Sequence, residues 1–168
     1  AGLIIVPSQY AKKTLKLYNG KLSKIKVIPY GFPKTCSINK KNWFDGKRTL
    51  ELNGEGYFKV KKGSKFSVNS TNGNVSVLGT QFNVKTNPSY FEVLCYEGSV
   101  KVQNKEEIAI LTKGLSFRKI EKNSSEKGSF TNTKPNWLDG ESSFNNTPLK
   151  FVLEELEKQY QIKITTTD

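Results

Sequence analysis

The chain has 168 residues, of which 35% are hydrophobic and 25% are charged, with 13 glycines and 6 prolines. This length can bury one sizeable core, and this composition is typical of a turn-rich folded protein. No apolar run approaches the roughly 18 residues that a membrane-spanning helix needs. The chain contains no histidine, which excludes a metal site with histidine ligands.

The net charge of +12 is unevenly distributed. Residues 1–50 hold 11 basic residues and one acidic residue, whereas residues 51–168 hold 16 basic and 14 acidic residues. A nucleic-acid-binding protein would carry its excess on one continuous surface with interleaved aromatic residues. Here the candidate stacking residues, Tyr18, Tyr30 and Trp43, are widely spaced. We therefore expect no nucleic-acid partner.

The first 33 residues predict a strand, a helix and a second strand. Apolar runs at 3–6 and 25–28 flank a segment with helical spacing that begins after Ser8. The sequences Leu-Ile-Ile-Val-Pro-Ser-x-Tyr (3–10) and Lys-Ile-Lys-Val-Ile-Pro-Tyr-Gly (24–31) resemble a segment of two-domain nucleotide-sugar glycosyltransferases. Nothing downstream resembles the nucleotide-binding half of those enzymes. We treat residues 1–33 as a segment of uncertain origin.

From residue 42 to residue 120 the pattern is that of β structure. Apolar and polar residues alternate, and glycine-centred turns separate the alternating segments. This pattern predicts a mainly β fold, either an antiparallel β sandwich or a short β-solenoid-like unit, with a strand-helix-strand unit at each end of the chain. The predicted core consists of Leu52, Phe58, Val60, Phe66, Val68, Val77, Phe82, Val84, Val93 and Val100.

Three motifs in this β region resemble one protein family. Residues 48–60 read Arg-x-Leu-x-Leu-x-Gly-Glu-Gly-Tyr-Phe-x-Val, residues 77–84 read Val-Leu-Gly-Thr-Gln-Phe-Asn-Val, and residues 97–100 read Glu-Gly-x-Val. They are similar to the periplasmic domain of FecR-type anti-sigma regulators. The resemblance extends over roughly residues 37–168, and the expected β domain spans 37–120. The polar run that follows, with Phe130 as its one large apolar residue, predicts a polar linker over 121–136.

Residues 137–168 predict a partial C-terminal βαβ module. Thr147 and Pro148 suit the start of a helix that runs to Tyr160, with an apolar stripe of Leu149, Val152, Leu153, Leu156 and Tyr160. The alternation in residues 161–165 predicts a following strand. This pattern resembles half of the signalling-domain-like module found at the end of FecR-type proteins.

Catalysis is not expected from this chain. Most acidic residues fall in predicted turns or on the outer helix face, and no glycine-rich phosphate-binding motif occurs. Glu55, between two glycines, is expected to form a structural ion pair with a partner such as Arg48. Cys36 and Cys95 match no zinc spacing, and Cys95 is expected to be a buried small apolar residue. We predict no enzyme activity and no cofactor.

The FecR resemblance implies a function in signalling. Such a periplasmic domain binds the signalling domain of an outer-membrane TonB-dependent receptor, while an N-terminal domain and a membrane helix, both absent from this sequence, reach a cytoplasmic sigma factor. A β strand with an unpaired edge readily accepts a partner strand. The expected docking residues are therefore Gln161, Ile162, Lys163, Ile164 and Thr165, with Gly79 on the β domain as a second candidate surface.

Two other functional classes stay open on the sequence. The first is a glycosyltransferase-derived fragment, suggested by residues 1–33 alone. The second is a glycan-binding or adhesin β domain, for which clustered exposed aromatic residues would be the sign.

Overall fold

The computed structural model describes residues 3–6, 24–27, 36–38, 48–105, 107–120, 124–142, 144, 147–160 and 162–165. In the first three ranges the backbone alone is described. The helix predicted between residues 8 and 18 lies outside these residues.

The described strands form two sheets. The first sheet has seven strands, in the spatial order β13 (Glu126–Ser129), β12 (Leu115–Ile120), β9 (Tyr90–Glu97), β8 (Gln81–Asn87), β5 (Gly54–Lys59), β1 (Leu3–Val6) and β2 (Lys24–Val27). The second has six, in the order β11 (Ile108–Thr112), β10 (Ser99–Gln103), β7 (Asn74–Val77), β6 (Phe66–Asn69), β4 (Arg48–Leu52) and β3 (Cys36–Ile38). A 3₁₀ turn (Asn136–Asp139) and helix α1 (Leu149–Tyr160) follow.

Most neighbouring strands are antiparallel. The two parallel pairs among the described strands are β1 with β2 and β4 with β6. Strand β1 also pairs antiparallel with β5, where Ile4 lies opposite Phe58. The first two strands of the chain therefore extend the first sheet beyond β5.

The two sheets pack face to face around one apolar core, as the alternation predicts, and the fold is a β sandwich. Nine of the ten predicted core residues are buried, and Val60 is half-buried and packs against them. The rings of Phe58 and Phe82, both fully buried, stack with their centroids 5.0 Å apart. The inner faces also include Leu50, Val75, Phe91, Cys95, Val102, Ala109, Leu111 and Phe117.

Two local predictions are wrong. Residues 126–129, within the predicted polar linker, form β13 and pair with β12. All four residues are exposed, so backbone hydrogen bonds hold this edge strand and no apolar pattern marks it. Residues 162–165 form no strand. The N–H groups of Ile162 and Ile164 instead donate to the main-chain oxygen and the carboxylate of Glu157 in α1.

Candidate functional site

The outer face of the first sheet is covered by the C-terminal part of the chain. Tyr57 of β5 and Tyr96 of β9 point away from the sandwich core and meet edge to face, with ring centroids 5.6 Å apart. Phe130 packs on Tyr96 at 5.0 Å, and Trp137 and Leu138 of the 3₁₀ turn join the same cluster. The sheet therefore has apolar residues on both faces, with a second, smaller core beneath residues 130–138.

Helix α1 contacts the same face at a second point. Phe151 is buried in a cluster with Tyr90 of β9 and Ile120 of β12, and the Phe151 and Tyr90 rings lie 6.1 Å apart. One helical turn later, Glu155 approaches the sheet as well. The spacing of four residues puts Phe151 and Glu155 on one side of the helix. This side is the docked face of α1.

An ion network connects the docked face to the sheet. The Nζ atom of Lys85 in β8 lies 2.5 Å from Glu155 Oε2 and 3.8 Å from Glu55 Oε2 of β5. Asn83 Nδ2 donates a 2.8 Å hydrogen bond to Glu55 Oε1. The three charged side chains are between 11% and 20% exposed, so water screens their interactions only partly.

The network contains more negative than positive charge. Burial raises the pKa of Glu55, and the attraction of Lys85 only partly offsets this effect. Burial likewise raises the pKa of Glu92, which faces Lys85 from β9. For Lys85, burial acts to lower the pKa, but the attraction of Glu55 and Glu155 outweighs it and the pKa rises. Lys85 is therefore the cation that holds several carboxylates together.

The apolar stripe of α1 lies on a different side from the docked face. At 100° per residue, Leu149 and Tyr160 share one side of the helix, roughly opposite Phe151. Leu149 is 66% exposed and Tyr160 is 61% exposed. The stripe predicted from the sequence is thus real, but its two ends face away from the sandwich.

The predicted docking residues 161–165 follow directly after this stripe. Ile162 is 53% exposed, Lys163 and Thr165 are exposed, and Ile164 is half-buried. Gln161 lies outside the described residues. Leu149, Tyr160 and Ile162 together place three large exposed apolar side chains on the helix and the residues that follow it.

Gly79 lies in the connection between β7 and β8, not within a strand. A Cβ atom at this position would come within 2.5 Å of Lys62 Cα. Backbone hydrogen bonds between Val60 and Thr80, and from Gly63 to Leu78, hold these two segments together. The glycine is thus required by a close approach of two backbones, and binding at Gly79 stays a prediction.

The sequence analysis also singled out Glu55, Cys95 and Cys36. Glu55 pairs with Lys85 rather than with Arg48, because it points to the outer face of the first sheet while Arg48 donates to the main-chain oxygen of Ser64. Cys95 is fully buried as predicted, and burial raises the pKa of its thiol to about 11. The side chain of Cys36 lies outside the described residues.

The described part of the chain lacks two further features. No helix there combines the length and apolar character that membrane crossing requires. No group of three or more metal-ligating side chains is found there either.

Comparison with known proteins places this architecture in a class of regulators. The model of the FecR protein family matches residues 34–101. Two crystal structures of a candidate anti-sigma factor from Parabacteroides distasonis are similar to this chain. Each is 30% identical to it in sequence, and the TM-scores are 0.64 and 0.63. The matches cover 68% and 67% of this chain and 57% and 56% of those chains. No curated protein matches the chain.

The β sandwich is therefore of the kind found in anti-sigma regulators. The family-model match and the two similar structures confirm the predicted resemblance to FecR-type regulators. The chain spans a little over half the length of the structures that it matches.

Proposed function

We propose that this chain is the periplasmic sensing part of a FecR-type anti-sigma regulator. It binds the signalling domain of an outer-membrane TonB-dependent receptor, and the parent protein relays that state to a cytoplasmic sigma factor. The family match and the similarity to a candidate anti-sigma factor support the regulatory role.

The observation that carries the docking proposal is the orientation of α1. The docked face holds the helix on the sandwich through Phe151 and Glu155, while Leu149 and Tyr160 point outward. Leu149 and Tyr160 lie at opposite ends of one side of the helix, with the half-buried Val152, Leu153 and Leu156 between them. An apolar stripe that stays exposed on a folded domain is typical of an interaction surface. The partner therefore contacts the outward stripe of α1 and the residues that follow it.

The segment 161–165 contributes by backbone pairing in this proposal. Ile162 and Ile164 use their N–H groups within the chain, whereas the intervening Lys163 is exposed. In an extended segment successive backbone groups point to opposite sides, so a partner strand would pair along the side of Lys163. Docking would then order this segment as a strand.

The test is a calorimetric titration against the signalling domain of a TonB-dependent receptor from the same genome. Lys163→Pro removes one backbone donor and is expected to weaken binding at least about tenfold, which corresponds to roughly 1.4 kcal/mol. Lys163→Ala is the matched control, because it removes the side chain and keeps the N–H group. Equal affinity for the proline and alanine variants would exclude pairing at this residue.

A further inference from the structure

A cleft of about 420 Å³ separates the outer face of the first sheet from the C-terminal segment that covers it. Its floor is formed by residues of β5, β8, β9, β12 and β13, and its roof by residues between Phe130 and Ser142, by Phe144 and by α1. The two apolar contacts described above, at Tyr96 and at Tyr90, lie at its walls. The volume is in the range of pockets that hold small organic molecules.

Two buried polar atoms in the walls of this cleft have no hydrogen-bond partner among the described residues: Asn83 Oδ1 and Trp137 Nε1. Asn83 is only 1% exposed. Its Nδ2 donates to Glu55, which fixes the orientation of the amide and leaves Oδ1 as the unused acceptor. An unpaired buried polar atom costs about 1–3 kcal/mol, so a molecule that pairs with both atoms would be stabilised.

The charge of the lining indicates the kind of molecule. Five carboxylates line the described part of the cleft, from Glu55, Glu92, Glu126, Glu141 and Glu155. The basic side chains there number three, from Lys85, Arg118 and Lys127. In a chain with a net charge of +12, acidic side chains thus outnumber basic ones in this cleft. Its occupant should therefore be positively charged.

The walls are also suited to an organic cation rather than to a bare ion. The aromatic rings of Tyr96, Phe130 and Trp137 line one end of the cleft, and those of Tyr90 and Phe151 line the other. Aromatic faces attract ammonium groups and pack against flat apolar groups. Lys85 itself shows this affinity, since its Nζ lies 5.9 Å from the centre of the Tyr90 ring.

We propose that this cleft binds a small organic cation, a primary amine that also carries an aromatic or apolar body and an oxygen atom. The ammonium group donates hydrogen bonds to Asn83 Oδ1 and to the carboxylate of Glu55. The body packs against the aromatic wall, and the oxygen accepts from Trp137 Nε1. Because the ligand touches both the sheet and its cover, it holds the C-terminal segment on the sandwich.

The test uses tyramine as the probe and tyrosol as its neutral counterpart, in which a hydroxyl group replaces the ammonium group. The indole N–H signal of Trp137 is followed by NMR during each titration of the intact chain. Trp43 is the other tryptophan of the sequence, so the Trp137→Phe variant shows which signal belongs to which residue. Tyramine should shift the Trp137 signal and leave the Trp43 signal in place.

Tyramine should bind at least about tenfold more tightly than tyrosol, because charge-assisted hydrogen bonds are roughly twice as strong as neutral ones. Glu55→Gln keeps an oxygen for Asn83 Nδ2 and should lower the tyramine affinity about fivefold or more without changing that of tyrosol. Glu51→Gln, an exposed residue of the second sheet, is the matched control and should change neither.

Three results would overturn the proposal. The first is an unchanged Trp137 signal at about 10 mM tyramine, a concentration that would reveal even weak binding. The second is equal affinity for tyramine and tyrosol. The third is a Glu55→Gln variant that binds tyramine as tightly as the wild-type chain.

Discussion

Lys85 Nζ lies 2.5 Å from Glu155 Oε2, and this ion pair joins helix α1 to the first sheet. The same ammonium group also lies 3.8 Å from Glu55 Oε2. Together with the burial of Phe151 against Tyr90, it determines which side of the helix faces the sandwich. The orientation of the exposed stripe is thus a consequence of one cation and one aromatic residue.

Replacing Lys85 with methionine should destabilise the fold. The variant keeps the length of the side chain but leaves Glu55 and Glu155 without their shared cation in a mostly buried position. Removing one partner of a buried ion pair costs about 3 kcal/mol. Urea unfolding measures this difference. Lys59→Met, at an exposed position of β5, is the control and should leave the unfolding midpoint nearly unchanged.

The stability of the protein should depend on pH through Glu55. Its pKa in the folded state is raised above the ordinary value of 4.5, chiefly by burial. The folded state therefore binds protons more tightly than the unfolded chain, and stability falls as the pH rises from about 4.5 through the raised pKa. Glu55→Gln removes this titration and should be more stable than the wild type at neutral pH.

Thermal unfolding of the wild type and of Glu55→Gln at several pH values tests the direction of this pH dependence. The advantage of Glu55→Gln should shrink as the pH falls toward about 4.5, where the wild-type carboxyl gains its proton in both states. An advantage that grows on acidification would show that the Lys85 attraction, rather than burial, controls this carboxyl group.

Phe82→Ala should test the core of the sandwich. Phe82 is fully buried and stacks on Phe58, so truncation should cost about 3–5 kcal/mol. Leu78→Ala is a suitable control, because Leu78 is 63% exposed and should tolerate truncation. If Phe82→Ala lowered the thermal midpoint no more than Leu78→Ala does, the assignment of Phe82 to the core would be contradicted.

The inner faces of the sandwich were predictable because each strand there alternates with period two. In β9, for example, Phe91, Val93 and Cys95 point inward, and this pattern is visible in the sequence. The edge strand β13 was not predictable in the same way, because its exposed polar side chains carry no alternation. Its position depends on backbone pairing with β12.

The covered outer face was missed, although the sequence contains a signal for it. Tyr90, Leu94 and Tyr96 occupy the outward positions of β9, where an uncovered sheet would carry mainly polar residues. The contact of Phe151 was hidden because this residue lies outside the apolar stripe of α1. Its role depends on the long-range approach of the helix to Tyr90, which helical periodicity does not encode.

The most direct test of the proposed function is a titration of the chain against the receptor's signalling domain, with Leu149→Asp as the variant. Leu149 is the first residue of α1 and is 66% exposed, so an aspartate there should preserve the helix and favour its N-terminus. We predict saturable binding for the wild-type chain and at least about tenfold weaker binding for the variant. Wild-type affinity in the Leu149→Asp variant would contradict docking on the outward stripe of α1, and an absence of binding by the wild-type chain would contradict the sensing function itself.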